Sequence, residues 1–438
     1  MFTRMKIAFF FENNPHEGRD LRRVTDGNPG MAATPYLFFL IAHLLSVRDN
    51  GLDVTLLLTR PMVMDDGVRI RLAADFRDAH RQCCKDGVDY LVVKHSNAYC
   101  HDISHMDSTL PTKVIIWCHN FVPFPQLAAY ARSPLVARLI TVGREQADSY
   151  RDHRAFRKTD WIYNAVETHT LLQRAAGLPP ASQRRHVVTY IGAIIPGKGF
   201  QVLAKAWPEV LRRVPDAQLY VIGNGRLYGD HVELGPWRLA ERHFEARIMK
   251  HLTSYGQLLP GVHLMGIMGE EKYKVMGMTK VGVPNPSGLT ETFCNSAVEM
   301  QLMGAVIASK RCIGYMDTVK NGRLVDNPLQ LADCIADCLL SSHDDYDATQ
   351  EAIVNNFSHD VVAHQWERLF LEALPHGQHL HPLLPLVHPD FELKQWKERL
   401  RRLKERQPWL YAVVPSLARV TEGWKALQWA FWKRVMLR

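Results

Sequence analysis

The sequence predicts an α/β chain of two doubly wound domains facing one another across a cleft, followed by a helical extension. Three observations predict it. Short β-rich apolar runs alternate with helical segments through both halves, a polar Pro- and Arg-bearing stretch near residue 180 divides them, and the excess positive charge collects after residue 390. At 438 residues the chain exceeds one ordinary core and fits two domains of ordinary size plus an extension. With 47% hydrophobic and 22% charged residues, the composition excludes both a disordered chain and a small disulfide scaffold.

The first half reads as strands at Ile7–Phe11, Val54–Thr59, Val88–Lys94, Val114–Trp117 and Leu139–Val142. Such alternation predicts parallel strands joined by crossover helices, with ligands gathered beyond the carboxyl ends of the strands. The apolar run Ile7–Phe11 is too short for a signal segment. The longest apolar stretch, Tyr36–Val47, is interrupted by His43 and falls short of the ~20 residues that cross a bilayer, so it predicts a buried helix. A boundary near residue 180 divides an N-terminal domain, 1–180, from a second domain, 181–356, with strands at Val187–Ile191, Leu219–Ile222, Val262–Met265, Lys280–Val283 and Ala305–Ala308. Residues 357–438 are expected to form a final helix and a tail.

The eight cysteines show no paired C-x-x-C spacing, which favours a reducing cytoplasm over a disulfide framework. His101 and His105 beside Cys100 imitate a helical metal pair, but no second ligand motif accompanies them, and no metal is expected.

Chemistry is carried by the turns that follow strands. After Val187–Ile191 the chain runs Gly192-Ala193-Ile194-Ile195-Pro196-Gly197-Lys198-Gly199 into a helix. Backbone N–H groups and a helix dipole can approach phosphate there, with Lys198 as a mobile cation. Ordinary turn chemistry explains the glycines equally well. The same two readings hold for Gly223-Asn224-Gly225 after the next strand. More informative is Pro284-Asn285-Pro286-Ser287-Gly288-Leu289 running through Glu291-Thr292-Phe293-Cys294 to Glu299. Glu291 falls on a loop and Glu299 about two turns into the helix that begins between them, so both carboxylates can face one ligand and accept bonds from sugar hydroxyls.

This E-x7-E pattern, preceded by Pro286-Ser287 and followed by a strand, resembles the signature of retaining GT-B glycosyltransferases of family 4. The order of features along residues 6–374 resembles that family too: Gly27-Asn28-Pro29-Gly30, Trp117-Cys118-His119-Asn120, Asn164-Ala165-Val166-Glu167, the Gly192–Gly199 loop, Gly223-Asn224-Gly225 and Gly322-Arg323-Leu324-Val325. The resemblance implies a GT-B fold and a donor that is a nucleotide-diphosphate sugar, UDP- or GDP-linked, with no further cofactor. It implies that Lys198 holds the diphosphate, Glu291 the donor-sugar hydroxyls and Glu299 the ribose. Phe293 and Cys294 would present backbone amides, His119 would line the reaction centre, and Gly30, Gly192, Gly223 and Asn224 would let backbone approach the donor. Catalysis would be electrostatic and metal-independent, with retention at the transferred sugar. Two departures stand out: Ala193 replaces the usual Arg, and Glu291-Thr292-Phe293-Cys294 replaces Glu-Gly-Phe-Gly.

Residues 391–438 hold 12 Lys/Arg and 4 Asp/Glu, so the other 390 residues carry 41 charges of each sign. A nucleic-acid protein spreads basic charge over its folded face, so nucleic acid is not an expected partner; a basic, Trp-rich tail points to a membrane surface. From Leu417 a helical projection places Leu417, Val420, Trp424, Leu427, Phe431 and Val435 on one arc, with Arg419, Glu422 and Lys433 opposite. Five tryptophans, Trp396, Trp409, Trp424, Trp429 and Trp432, lie in this tail. The alternative reading is a helix packed on the body or at an oligomer interface.

The expected activity is transfer of a sugar to a polysaccharide or lipid-linked saccharide acceptor in bacterial surface glycan synthesis (lipopolysaccharide or capsule). The expected place is the inner face of the plasma membrane, held there through residues 391–438. Other GT-B enzymes, an epimerase or a phosphorylase, and a catalytically weak nucleotide-sugar-binding protein are the alternatives.

Overall fold

The computed structural model describes residues 4–227, 232–289, 291–341, 346–372, 377–384, 386, 391–417, 419–420, 423–424, 427 and 430–431. Two all-parallel sheets organise it. The first holds β1 (Met5–Phe11), β2 (Leu52–Leu58), β3 (Arg69–Leu72), β4 (Tyr90–Lys94), β5 (Lys113–Cys118), β6 (Val136–Thr141) and β7 (Thr159–Trp161) in the order 3-2-1-4-5-6-7. Its crossovers are α1 (Ala33–Ser46), α2 (Phe76–Asp86), α3 (Asn97–His105), α4 (Phe124–Arg132) and α5 (Arg144–Ser149). After α6 (His169–Ala175), the second sheet holds β8 (Val187–Ile191), β9 (Gln218–Ile222), β12 (Val262–Gly266), β13 (Val281–Gly282), β14 (Val306–Lys310) and β15 (Gly322–Val325) in the order 12-9-8-13-14-15. A small hairpin of β10 (Thr253–Ser254) and β11 (Gln257–Leu258) stands apart from it. The helices of this half are α7 (Phe200–Arg213), α8 (Arg242–Met249), α9 (Lys272–Met278), α10 (Asn295–Leu302), α11 (Ile313–Thr318), α12 (Leu331–Leu340) and α13 (Tyr346–Phe357).

Strand order reverses between β1 and β4 in the first sheet and between β8 and β13 in the second, and these switch points open a crevice at the carboxyl edge. The expected strands are present, with ends shifted by at most three residues. Sequence reading missed β3, a charged edge strand, β7, which is only three residues long, the β10–β11 hairpin, and β15, where Gly322-Arg323-Leu324-Val325 was noted but not read as a strand. The predicted helix at Tyr36–Val47 is α1, apolar almost all round and buried from Pro35 to Leu45. The crossover helix, α14 (His359–Leu371), returns to the first sheet, where Trp366 packs edge-on against Phe9 and Trp117 at 5.9 and 4.8 Å between ring centroids. Arg48 beyond α1 pins α14 through Glu367 at 2.8 Å.

The tail holds α15 (Phe391–Arg406) and α16 (Leu410–Val413), and the described residues from Leu417 to Phe431 are helical. Val420, Trp424, Leu427 and Phe431 are all exposed. Glu422, Lys425, Trp429, Trp432, Lys433, Arg434, Val435 and Arg438 lie outside the described residues. Among the described residues no helix is long and apolar enough to cross a membrane.

Candidate active site

The crevice beyond β8 and β13 is a cavity of about 190 Å³ lined by Gly30, Tyr190, Gly192, Lys198, Gly223, Lys272, Asn285, Glu291, Phe293, Cys294, Asn295, Ser296 and Glu299, among others. Its floor needs glycine. A Cβ on Gly223, which has φ +116°, would sit 2.0 Å from the Gly192 carbonyl oxygen, and one on Gly199, at φ +73°, would lie 2.4 Å from the Ser287 amide nitrogen. These contacts press the Gly192–Gly199 turn against both the β9 turn and the Pro286-Ser287 loop. From the opposite domain Gly30 approaches the Met268 carbonyl, 3.6 Å from where its Cβ would be.

Two ion pairs fill the crevice. Lys198 Nζ donates to Glu291 Oε2 at 3.0 Å, and Asn285 Nδ2 donates to the same oxygen at 2.8 Å. Asn285 is in turn held by Ser287, whose hydroxyl donates to Asn285 Oδ1 at 2.8 Å. Lys272 Nζ, at the start of α9, donates to Glu299 Oε2 at 3.0 Å. Both pairs are largely buried, so each lysine is positioned by a carboxylate in a site of low dielectric. Helix α10 opens at Cys294 with no side-chain cap, which leaves its first-turn amides at the cavity wall. Glu299 lies one turn into α10, not the two expected, because the helix starts at Asn295.

Burial, with Glu291 nearby, pushes the Cys294 thiol up to about 12, so it is a protonated wall group and not a thiolate nucleophile. His119 follows β5 and sits against Trp117 at 4.4 Å between centroids. Burial, assisted by Lys94, pushes its imidazole down to about 3, so it is neutral. Its Nε2 is buried with no hydrogen-bond partner among the described residues. The His119 carbonyl accepts a bond from the Thr292 hydroxyl, which sets this strand end beside the Glu291 loop.

Of the residues singled out in the sequence, Gly30, Gly192, Lys198, Gly223, Glu291, Phe293, Cys294 and Glu299 line the one cavity. His119 and Asn224 do not. Asn224 instead accepts from the Arg226 amide at 2.8 Å and closes its own turn. Ala193 is fully buried and brings no charge. Lys272 and Asn285 escaped sequence reading; the Gly269-Glu270-Glu271 turn before Lys272 marks a helix start but nothing local points at Glu299. His101 and His105 stack on one another at 4.3 Å between ring centroids.

Comparison with known proteins bears on the fold. Residues 185–341 match the family model described as glycosyl transferases group 1. A phosphatidyl-myo-inositol mannosyltransferase of Mycobacterium tuberculosis is 27% identical over 224 residues, 48% of this chain and 53% of that protein, so the chain spans about half the length of this relative. The crystal structure of Anabaena Alr3699/HepE in complex with UDP is similar with a TM-score of 0.59 at 14% identity, covering 84% of this chain and all of that one. A structure described as trehalose-6-phosphate from E. coli bound with UDP-2-fluoro glucose follows at 0.57 and 11%, covering 84% and 98%. The fold is GT-B.

Proposed function

We propose that this chain is a retaining, metal-independent glycosyltransferase of the family-4 kind. It takes a sugar from a UDP- or GDP-linked donor and passes it to a lipid-linked or polysaccharide acceptor in bacterial surface glycan synthesis. The observation that carries this reading is the convergence of Lys198, Lys272, Glu291, Glu299 and the start of α10 in one crevice at the switch point of the second sheet. Lys198, Lys272 and the α10 amides face the diphosphate, so its arrival exchanges two internal ion pairs for charge-assisted bonds to phosphate. Glu291 and Glu299, freed from those pairs, accept the sugar and ribose hydroxyls. An acceptor hydroxyl oxygen then bonds to the anomeric carbon while the bond to the phosphate oxygen breaks. The electron pair leaves with the diphosphate, which takes up the hydroxyl proton, and attack from the leaving-group side keeps the configuration. The cations stabilise the charge that develops on the diphosphate.

The relative whose name includes an inositol lipid, and the basic tail, support an acceptor at a membrane, with residues 391–438 holding the protein at the inner face of the plasma membrane. The second reading, a catalytically weak nucleotide-sugar-binding protein, is favoured by the uncharged, buried Ala193. Thermal unfolding with a panel of nucleoside diphosphates and their sugars tests the donor assignment. A ligand at one hundred times its Kd adds about 2.7 kcal/mol to stability. A matched nucleotide sugar raises Tm, and no rise with any of them contradicts the reading.

A further inference from the structure

Helix α15 is built inside out. Its body-facing side carries Lys394, Lys397, Glu398 and Lys404, each no more than 6% exposed, while its outward side carries Trp396 at 65% and Leu403 at 47%. The charged side docks on α5 and the turn after it. Lys394 pairs with Glu145 and Asp148, Arg151 donates to Glu398 at 3.0 Å, Lys397 donates to the Ser149 carbonyl at 3.1 Å, and Lys404 donates to the Asp152 carbonyl at 3.3 Å. A helix on a protein in water buries its apolar stripe and exposes its charges, because ions are costly to desolvate and apolar area is costly to wet. Here four charged side chains are buried while Trp396 and Leu403 are exposed on the same helix.

That exposure is relieved when an apolar phase covers the outward side. We propose that this side of α15 is a bilayer-docking surface for membranes rich in anionic phospholipid. It rests on the reading of residues 391–438 as a peripheral membrane segment, and it assigns the contact to a helix other than the arc that begins at Leu417. The charge pattern selects the occupant. Arg399 and Arg406 are exposed and flank Trp396 and Leu403 at the same seven-residue spacing, so an indole and a leucine can enter the headgroup boundary while two guanidinium groups meet phosphate. Trp409, Val413, Val420, Trp424, Leu427 and Phe431 continue the exposed apolar surface beyond α15. A second copy of the chain seated there would set one basic tail against another, a like-charge pairing that disfavours association. The lysines of α15 are spent on the body, so the lipid-facing charge is smaller than the tail's surplus of basic residues. Because α15 sits on α5, the N-terminal domain is the part of the molecule next to the membrane.

The test is co-sedimentation of the full chain with vesicles of phosphatidylcholine alone and with about one third phosphatidylglycerol, with size-exclusion chromatography and donor hydrolysis in parallel. The parent binds the anionic vesicles, and Trp396→Glu/Leu403→Glu weakens that binding by about tenfold or more while leaving Tm and donor hydrolysis unchanged. Arg399→Glu/Arg406→Glu weakens it also, and most at low salt. Equal binding by parent and Trp396→Glu/Leu403→Glu overturns the α15 surface while leaving the membrane reading with residues 417–438. Failure of the parent to bind overturns both, without touching the donor assignment, which hydrolysis reads separately. A dimer that Trp396→Glu/Leu403→Glu dissolves, with no vesicle binding, replaces the bilayer with a second copy.

Discussion

Lys198 and Glu291 hold one another at 3.0 Å, as do Lys272 and Glu299, so the crevice waits for its ligand with its charges already neutralised. On the proposed reading, donor binding would exchange partners rather than desolvate bare ions, which would keep its electrostatic cost low. Glu299→Gln keeps the shape and removes the charged acceptor, so nucleotide affinity should fall by about 1.5–3 kcal/mol in titration calorimetry. An unchanged Kd would assign Glu299 to packing. His119 is neutral, with its imidazole pushed down to about 3, so it does not titrate near neutrality; the proposed reading puts it near the transferred sugar although it does not line the cavity. His119→Ala should lower kcat more than donor affinity and leave the shape of the rate profile between about pH 5 and 8 as it was. A lost inflection near pH 6.5 would show a protonating histidine instead.

At the scale of elements, α11 meets the N-terminal domain through Asp317. Its carboxylate accepts from the Glu145 amide at 2.9 Å and from the Tyr163 hydroxyl at 3.0 Å. Burial, then the neighbouring Glu145 charge, pushes Asp317 up to about 7, against 3.8 for a free carboxyl. A raised carboxyl holds its proton in the fold after the unfolded chain has released it. The stability it lends is full below the unfolded value and is lost as pH rises from about 4 to about 7. Asp317→Asn keeps the shape without that titration, so the drop in Tm between pH 5 and pH 7 should be smaller in the variant. Equal slopes would contradict the buried, protonated state.

Elements were legible in the sequence where periodicity and turn chemistry agreed. Val187–Ile191 reads as a strand because an apolar run meets glycine, and α1 reads as a buried helix because its run is long and apolar throughout. Edge strand β3, Arg69-Ile70-Arg71-Leu72, lacks that signal since only Ile70 packs inward and the other three side chains are exposed. The site was legible only where motif spacing carried it. Lys272 meets Glu299 across 27 residues of chain, and that meeting is a product of packing. The stripe on α15 is periodic too, but periodicity does not say which side of a helix a protein buries, and here the buried side carries Lys394, Lys397, Glu398 and Lys404.

At the scale of the molecule, two parallel sheets turn their carboxyl edges toward one crevice, and α14 ties the second half back onto the first through Trp366 and Arg48. The backbone also crosses between the halves where the Val166 amide donates to the Phe357 carbonyl at 2.8 Å. Gly30 arrives from one half, and Lys198, Glu291 and Glu299 from the other, so the cavity is complete only when the halves meet. The proposed transfer activity rests on a nucleotide diphosphate leaving from that crevice against Lys198. The direct measurement is release of nucleoside diphosphate from UDP- and GDP-sugars by the parent and by Lys198→Ala. The parent should release one of the two nucleotides, and the variant, while still folded, should do so about 10²–10³-fold more slowly, the size of effect seen when one preorganised charge stabiliser is removed. No release by the parent from any donor, or equal rates in both proteins, would contradict it.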